Sequence, residues 1–385
     1  MDLIGLSVHS VAGDSVALET IREIRRRSRA PLVVGGAHPS LMPDRFLEAG
    51  ARGVVRGEGE VAVARLAGLS GGETRVGVVD GEPVEHLDDL PHPLLEALPL
   101  EAYWRLGLGH GPVSGRYVSL STSRGCLHGC RFCATPALAR GRWRAMSAGR
   151  VVEGLHRVRR DLAVAEVHFE DDDFCADRDR VEGLCEQLLE GRLEQRYALP
   201  SGVRVESLDA SLVRLMARAG FRYLSLAPES GSGRVLRAMG KPIDLGHLET
   251  VARAAVESGI RVGCFLVLGF PGESAQDRRA TAALAERLVE LGVDDLSVFI
   301  WSPLPGAESF GLERGYGRLE ALCWSPRWRA GYGRLEGARF GVYLRAATAV
   351  IRSGSNTNVA TVPVIAGSTS SSCSTVSKTG SLSSC

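Results

Sequence analysis

Residues 123–133 read SRGCLHGCRFC, and within them Cys126, Cys130 and Cys133 form a CxxxCxxC triplet. Thiolates are soft ligands that suit iron–sulfur clusters or zinc. A structural zinc site takes four protein ligands, with its cysteines in CxxC pairs. The triplet supplies three, and His128 sits inside the loop, where its geometry toward a shared ion is awkward. Three thiolates on one tight loop after a strand suit a [4Fe–4S] cluster with one iron left open. The strand before the loop, Tyr117–Ser121, opens a regular alternation. Further strands are expected at Glu166–Phe169, Ala198–Val205, Tyr223–Ala227, Val262–Leu268 and Asp295–Ile300. Helices are expected between them at Ala148–Arg160, Asp179–Leu189, Ala210–Ala219, Leu245–Ser258 and Ala275–Leu291. Six strands with alternating helices predict an incomplete barrel or an open parallel sheet, with chemistry at the C-terminal strand ends.

Outward from this core the chain divides further. Residues 1–70 read as part of a second α/β domain. Its strands are Leu3–Val8, Pro31–Gly36 and one starting at Gly53–Arg56; its helices are Ser15–Arg27 and Met42–Ala49. This spacing means parallel pairing through crossovers. The chain starts almost directly in a strand, so this domain is expected to be a half-domain, truncated at its N-terminus. Residues 71–115 read as a linker, because the prolines of LDDLPHPLLEALPL (Leu87–Leu100) block long elements. The larger α/β region spans 116–310 and a helical extension 311–352. GYGRLE occurs twice, at Gly315–Glu320 and Gly331–Glu336, too few copies for a repeat architecture. CWSPRWR (Cys323–Arg329) reads as an aromatic helix packed on the core or as a substrate-facing element. Residues 353–385 are Ser/Thr-rich and read as a disordered tail.

Composition narrows the classes. The chain has 385 residues, 44% hydrophobic and 24% charged, enough for a sizeable core. Lys plus Arg total 46 and Asp plus Glu 45, a net charge of +1, so nothing predicts bulk attraction to nucleic acid or anionic membrane. No membrane span or secretory leader is expected. Nine cysteines are too few and too uneven for a disulfide scaffold. Cys175, Cys185, Cys264 and Cys323 read as small buried hydrophobes. Cys373 and Cys385 show no second cluster spacing.

With the triplet and its strand context in place, the sequence resembles the radical S-adenosylmethionine (SAM) enzymes. Phe132 stands just before the last cysteine, where that family carries an aromatic residue. EDDDF (Glu170–Phe174), APES (Ala227–Ser230), LGFPGE (Leu268–Glu273) and PLPG (Pro303–Gly306) follow successive strands as the family's motifs do. The resemblance implies that Cys126, Cys130 and Cys133 hold a [4Fe–4S] cluster whose open iron binds SAM, with Phe132 near the adenine. It implies that Glu170 or Asp171 meets the SAM amino group. Helix capping and solvated charge is the competing reading for the aspartates. Glu229 would meet the ribose or amino-acid end. Arg204 would balance a carboxylate or lie outside the barrel. Gly269, with Pro271 and Gly272, would shape an adenine-side turn or serve turn geometry alone.

VGGAHPS (Val34–Ser40) and VVRGEGE (Val54–Glu60) resemble the second half of the cobalamin-binding domain of B12-dependent radical SAM enzymes. No DxHxxG motif occurs, and the first strands of that domain are missing from the sequence. His38 reads as a corrinoid-edge residue or a satisfied loop histidine; His9 and His168 are open. The implied fold is α/β: a partial (βα)6 TIM-like radical SAM barrel preceded by a truncated Rossmann-like cobalamin-binding half-domain. The implied cofactors are the [4Fe–4S] cluster, SAM and, through the half-domain, cobalamin. The implied activity is SAM cleavage and hydrogen abstraction from an unactivated carbon, with cobalamin-dependent C-methylation as the leading outcome. Non-methylating oxidation, cyclisation or rearrangement is the alternative, and a non-catalytic iron–sulfur protein the second. Partners implied are a small-molecule or natural-product substrate and a reductant such as flavodoxin or ferredoxin. An oxygen-sensitive cytoplasmic enzyme with no nucleic-acid partner is expected.

Overall fold

The computed structural model describes residues 3–9, 14–67, 76–107, 109–311, 326–353, 358–360, 374–376 and 382–384. Two units emerge. One comprises Met1–Glu85, Phe132–Arg142 and Pro303–Gly311; the other comprises His86–Arg131, Trp143–Ser302 and Leu312–Cys385.

The smaller unit is built on four parallel strands lying side by side in chain order: β1 (Ile4–Ser7), β2 (Leu32–Gly35), β3 (Gly53–Arg56) and β4 (Gly77–Asp80). Strands β2 and β3 are almost wholly apolar because helices cover both faces of a parallel sheet. Leu32, Val34 and Val54 pack with Ile21 of the helix Asp14–Arg27 and Phe46 of the helix Pro43–Glu48. Val33 and Val55 pack on the other face with Ala62 and Leu66 of the helix Glu60–Ala67. Each such Val, Leu, Ile or Phe side chain, fully buried, contributes about 1.5–3 kcal/mol. Strand β4 lies inside the stretch expected as a linker. The Gly and Pro around GVVD hide a four-residue strand, yet its valines extend the ladder from β3.

The larger unit carries β5 (Tyr117–Leu120), β6 (Ser123–Gly125), β7 (Trp143–Ala145), β8 (Glu166–Phe169), β9 (Arg196–Val203), β10 (Phe221–Glu229), β11 (Arg261–Leu268), β12 (Asp295–Ile300), β13 (Asn358–Ala360), β14 (Ser374–Val376) and β15 (Leu382–Ser384). Its main sheet runs β5-β8-β9-β10-β11-β12-β13-β14-β15, parallel from β5 to β13 and antiparallel beyond. Among the described residues this order is linear. The anticipated TIM-like barrel is thus a mixed α/β fold with a parallel core, and ring closure is not among the pairings of those residues. Strands β6 and β7 form a separate antiparallel pair.

Helices follow the strands at Ala148–Leu162, Arg178–Glu190, Ala210–Arg218, Leu245–Glu257 and Ala275–Glu290. Each starts where a side chain can cap it: Ser147, Asp177, Asp209, Asp244 and Ser274 accept hydrogen bonds from first-turn backbone N–H groups. Such a cap is worth about 1 kcal/mol. Val118, Val167, Leu199, Leu224, Leu266 and Val298 belong to the core beneath these helices, with Leu155, Leu184, Leu212, Val251 and Leu284. The opposite face carries polar groups, and the end of the expected linker lies against it. His168 Nδ1 meets His110 O at 3.0 Å, and Ser114 N donates to Glu166 Oε2 at 3.2 Å. A Cβ on Gly111 would stand 3.1 Å from Pro200 and 3.3 Å from the Tyr223 ring.

A 28-residue helix, Pro326–Ser353, occupies the expected helical extension and contains the second GYGRLE copy. The first copy and Cys323 lie outside the described residues, as do Cys373 and Cys385. Strands β13, β14 and β15 fall in the stretch expected as a disordered tail. Among the described residues no helix is long and apolar enough to cross a membrane.

Candidate active site

The cysteine loop is held by the acidic segment that follows β8, one carboxylate after another. Asp171 Oδ2 accepts from Thr122 Oγ1 at 2.7 Å, and its Oδ1 accepts from Thr122 N and, at 2.7 Å, from Ser123 N. Asp172 Oδ2 accepts from Gly125 N at 3.3 Å. Asp173 Oδ2 accepts from Cys126 Sγ at 3.6 Å and lies 3.4 Å from His128 Nε2. Parallel pairing explains the match. Leu120 sits opposite Phe169, so the residues after each strand leave the sheet side by side. Arg180 adds a second tie, donating to Thr122 Oγ1 at 2.7 Å and to Met146 O at 2.8 Å.

These bonds occupy both oxygens of Asp171, which is buried; burial pushes its carboxyl up, against the pull of Thr122 and Ser123. Its work is to fix the start of the loop. Burial likewise pushes the Cys126 thiol up to about 12, and the Asp173 carboxylate adds to that effect. The metal-free loop therefore carries Cys126 as a thiol, and metal binding must displace its proton.

The other end of the loop rests on the C-terminal end of the short helix Gly233–Ala238, which follows β10. Arg131 N donates to Met239 O at 2.8 Å, and Arg131 Nη1 donates to Ala238 O at 3.2 Å. Gly240, at φ +68°, leaves room for Gly129 O, which a Cβ would approach to 3.1 Å. Next to it Lys241 Nζ donates to Glu229 Oε1 at 2.7 Å, both residues being buried. Burial pushes the Glu229 carboxyl up, against the attraction of Lys241. Glu229 has φ +61°, a left-handed conformation that costs a non-glycine residue on the order of 1–3 kcal/mol. A strained, buried carboxylate at a strand end marks a site where side-chain direction matters more than local comfort.

The remaining expected site residues are spread more widely. Glu170 accepts from Ser119 Oγ at 3.1 Å and Ser201 Oγ at 2.9 Å, and it pairs with His110 Nδ1 at 2.7 Å. Burial works against its charge, but His110 and the two hydroxyls hold it below the usual carboxylate range. Arg204 Nη1 donates to Cys130 Sγ at 3.8 Å, and Nη2 donates to Glu206 at 3.2 Å. Arg204 thus lies beside the cysteine loop. Gly269 has φ +86°; its N–H donates to Glu273 Oε2 at 2.7 Å, and a Cβ there would strike Leu335 Cδ1 at 2.5 Å. Phe132 and Cys133 begin the segment grouped with the smaller unit. Both are half-buried, and Cys133 Sγ accepts from Thr135 N at 3.4 Å.

At the C-terminal edge of the smaller sheet, His38 is buried with Nε2 2.7 Å from Asp14 Oδ1, and Arg45 also bonds Asp14. This is the satisfied histidine of the two readings, carried on the short helix Ala37–Leu41 rather than in a loop. His9, by contrast, is exposed at the end of β1. Gly59, after β3, has only Val63 within 4 Å of where a Cβ would stand, so the edge there is open backbone.

Four partners escaped sequence reasoning: Asp173 for Cys126, His128 for Asp173, Lys241 for Glu229 and His110 for Glu170. His128 carried a signal, being two residues from a cysteine ligand. His110 carried none, because its partner is 60 residues away. The cysteines separate in burial. Cys126, Cys130 and Cys133 are partly exposed and in no disulfide, whereas Cys175, Cys185 and Cys264 are buried. The donor set therefore fits the cluster: three accessible soft ligands on a loop whose backbone is tied at both ends.

The family described as the Radical SAM superfamily matches residues 120–285, a span that holds the braced loop and the strand-end carboxylates. The chain belongs to the radical SAM enzymes. The B12 binding domain matches residues 1–67, so its N-terminal region is a cobalamin-binding domain of the kind that precedes the radical SAM core in one group of them. An uncharacterized methyltransferase of Pyrococcus horikoshii is 27% identical over 77% of this chain and 65% of its own length. The cytidylyl-2-hydroxyethylphosphonate methyltransferase of Streptomyces wedmorensis is 32% identical over 58% of this chain and 42% of its own length. The chain therefore spans less than two thirds of either relative. The solved radical SAM methyltransferase TsrM of Kitasatospora setae, with cobalamin and a [4Fe–4S] cluster bound, shares the fold: TM-score 0.64, 19% identity, 80% of this chain and 66% of that one.

Proposed function

We propose that this chain is a cobalamin-dependent radical SAM C-methyltransferase acting on a small molecule. The observation that carries the reading is the braced cysteine loop, Asp171 to Thr122 and Ser123, Asp172 to Gly125 and Asp173 to Cys126, in a chain that also matches a B12 binding domain. Support comes also from two relatives named as methyltransferases.

In this reading Cys126, Cys130 and Cys133 hold the cluster. Arg204 lies against the Cys130 sulfur. Glu229, kept in place by Lys241, and Glu170 bind the polar end of SAM; Phe132 and the Gly269 backbone meet its adenosyl end. Asp171 acts as a positioning residue through the loop. The exposed edge of β1 to β3, with His9 and Gly59, faces the corrinoid. When bound, the cluster supplies the electron that opens SAM and cobalamin supplies the methyl carrier. The protein's part is to orient these groups and exclude water.

The test is anaerobic reconstitution of the full chain with iron and sulfide, followed by equilibrium dialysis against SAM. Cys126→Ala, Cys130→Ala and Cys133→Ala should each lose the cluster chromophore and SAM cleavage. Glu229→Gln should keep its iron and bind SAM about tenfold more weakly, a loss of about 1.4 kcal/mol. Full SAM cleavage by any single cysteine variant would overturn the assignment.

A further inference from the structure

Three different ligand types meet at one point of the cysteine loop. Cys126 Sγ, a ring nitrogen of His128 and a carboxylate oxygen of Asp173 all lie within 4.8 Å of one another. Asp173 Oδ2 is 3.6 Å from Cys126 Sγ and 3.4 Å from His128 Nε2. A tetrahedral zinc ion with bonds of about 2.0–2.3 Å needs ligand atoms about 3.3–3.6 Å apart. Two edges of such a tetrahedron are already at that length, and the third, between Cys126 and His128, lies within 4.8 Å.

A second, independent observation points to a ligand. Asp173 is 3% exposed, and its Oδ1 is buried without a hydrogen-bond partner. A buried carboxylate oxygen in that state is costly unless something binds there. His128 stays accessible from solvent, which gives an ion its way in.

We propose that the cluster-free chain binds one zinc ion through Cys126, His128 and Asp173, and that zinc and the iron–sulfur cluster are mutually exclusive. Cys130 is turned to Arg204, so the fourth position falls to water. Binding releases the Cys126 proton to solvent and forms the Zn–S bond; no electron is transferred. Cys126 is a ligand in both states, while His128 and Asp173 are ligands of zinc alone. A chain loaded with zinc before iron is thereby locked out of cluster assembly.

The experiment uses the full chain, purified anaerobically without its cluster, and Co²⁺ as a coloured probe that Zn²⁺ displaces. The expected result is one Co²⁺ per chain with thiolate charge-transfer absorption and the intense visible bands of a tetrahedral site. Loss of a supporting partner alone weakens metal binding about 10–100-fold. His128→Ala and Asp173→Asn, each removing a direct ligand, should therefore cost at least about 100-fold. Cys133→Ala should bind Co²⁺ as the parent does. Zinc-loaded parent chain should fail to take up iron and sulfide, and His128→Ala, treated with the same zinc, should still reconstitute. His128 is partly exposed, so His128→Ala keeps the test sound if Asp173→Asn folds poorly. Co²⁺ affinity unchanged in His128→Ala, or abolished in Cys133→Ala as fully as in Cys126→Ala, would overturn the proposal in favour of a three-thiolate site.

Discussion

The segment after β8 and the short helix after β2, Ala37–Leu41, both place polar side chains near the C-terminal end of a parallel strand, but they spend them differently. After β8, three aspartates point to the neighbouring loop: Asp171 and Asp172 hold its backbone, Asp173 meets the Cys126 thiol, and the three thiols stay partly exposed. After β2, His38 turns inward to Asp14, which Arg45 also bonds, and the cluster closes on itself. The first arrangement shapes a neighbouring loop that has chemistry to do. The second joins two helices to the sheet. A polar motif at a strand end is therefore evidence of position, and its role follows from which way its hydrogen bonds run.

The contrast is broken most forcefully at Asp171. Asp171→Ala strands two backbone N–H groups and a hydroxyl in a buried place, and should destabilise the chain by about 3 kcal/mol. Urea denaturation would measure this, and iron uptake on reconstitution should fall with it. A variant with parental stability and iron content would show that the brace is incidental.

His38→Ala should have a smaller effect, about 1–2 kcal/mol. Hydrogen exchange should place it in the amides of Leu32–Gly35 and Asp14–Arg27, with iron per chain unchanged. Lost iron uptake in this variant would erase the distinction between the two segments.

The smallest effect is expected at Asp277, in the first turn of the helix Ala275–Glu290, where a third network pairs a buried carboxylate with the exposed Arg234. Arg234 above all, with Ser232 and Ser274, holds this carboxyl well below the usual range. A carboxyl lowered in the folded state adds stability above its unfolded pKa, about 3.9, and that gain disappears as pH falls through its folded value. The melting-temperature gap between the parent and Asp277→Asn should be widest above about pH 5 and shrink on acidification. A gap that stays constant with pH would remove Asp277 from the acid sensitivity of the fold.

Much of the fold was legible in the sequence because the elements are short, apolar and capped. Glu166–Phe169, Asp295–Ile300 and Gly53–Arg56 are strands at the expected boundaries. Strand β4 was not legible, because GVVD is too short to show a period among glycines. The cysteine spacing was legible as metal chemistry. The partners of the acidic residues were not. Asp171 meets Thr122 across 49 positions and Glu229 meets Lys241 across 12, and neither pairing leaves a local pattern. Sequence reading ranks Asp171 with Glu170 as ligand contacts; hydrogen bonding separates them, Asp171 being used up in the loop and Glu170 sharing its oxygens with His110 and two serines.

The brace also has a consequence in time. The carboxylates that hold the cysteine loop lie 47 to 49 positions downstream of the groups they bind. At a synthesis rate of about 5–20 residues per second, the thiols leave the ribosome on the order of 2–10 s before their supports. For that interval they form part of an unfolded nascent segment, open to stray metal and oxidant. Order in which the chain is born thus sets a window in which the loop must wait, reduced and empty, for the residues that will give it shape.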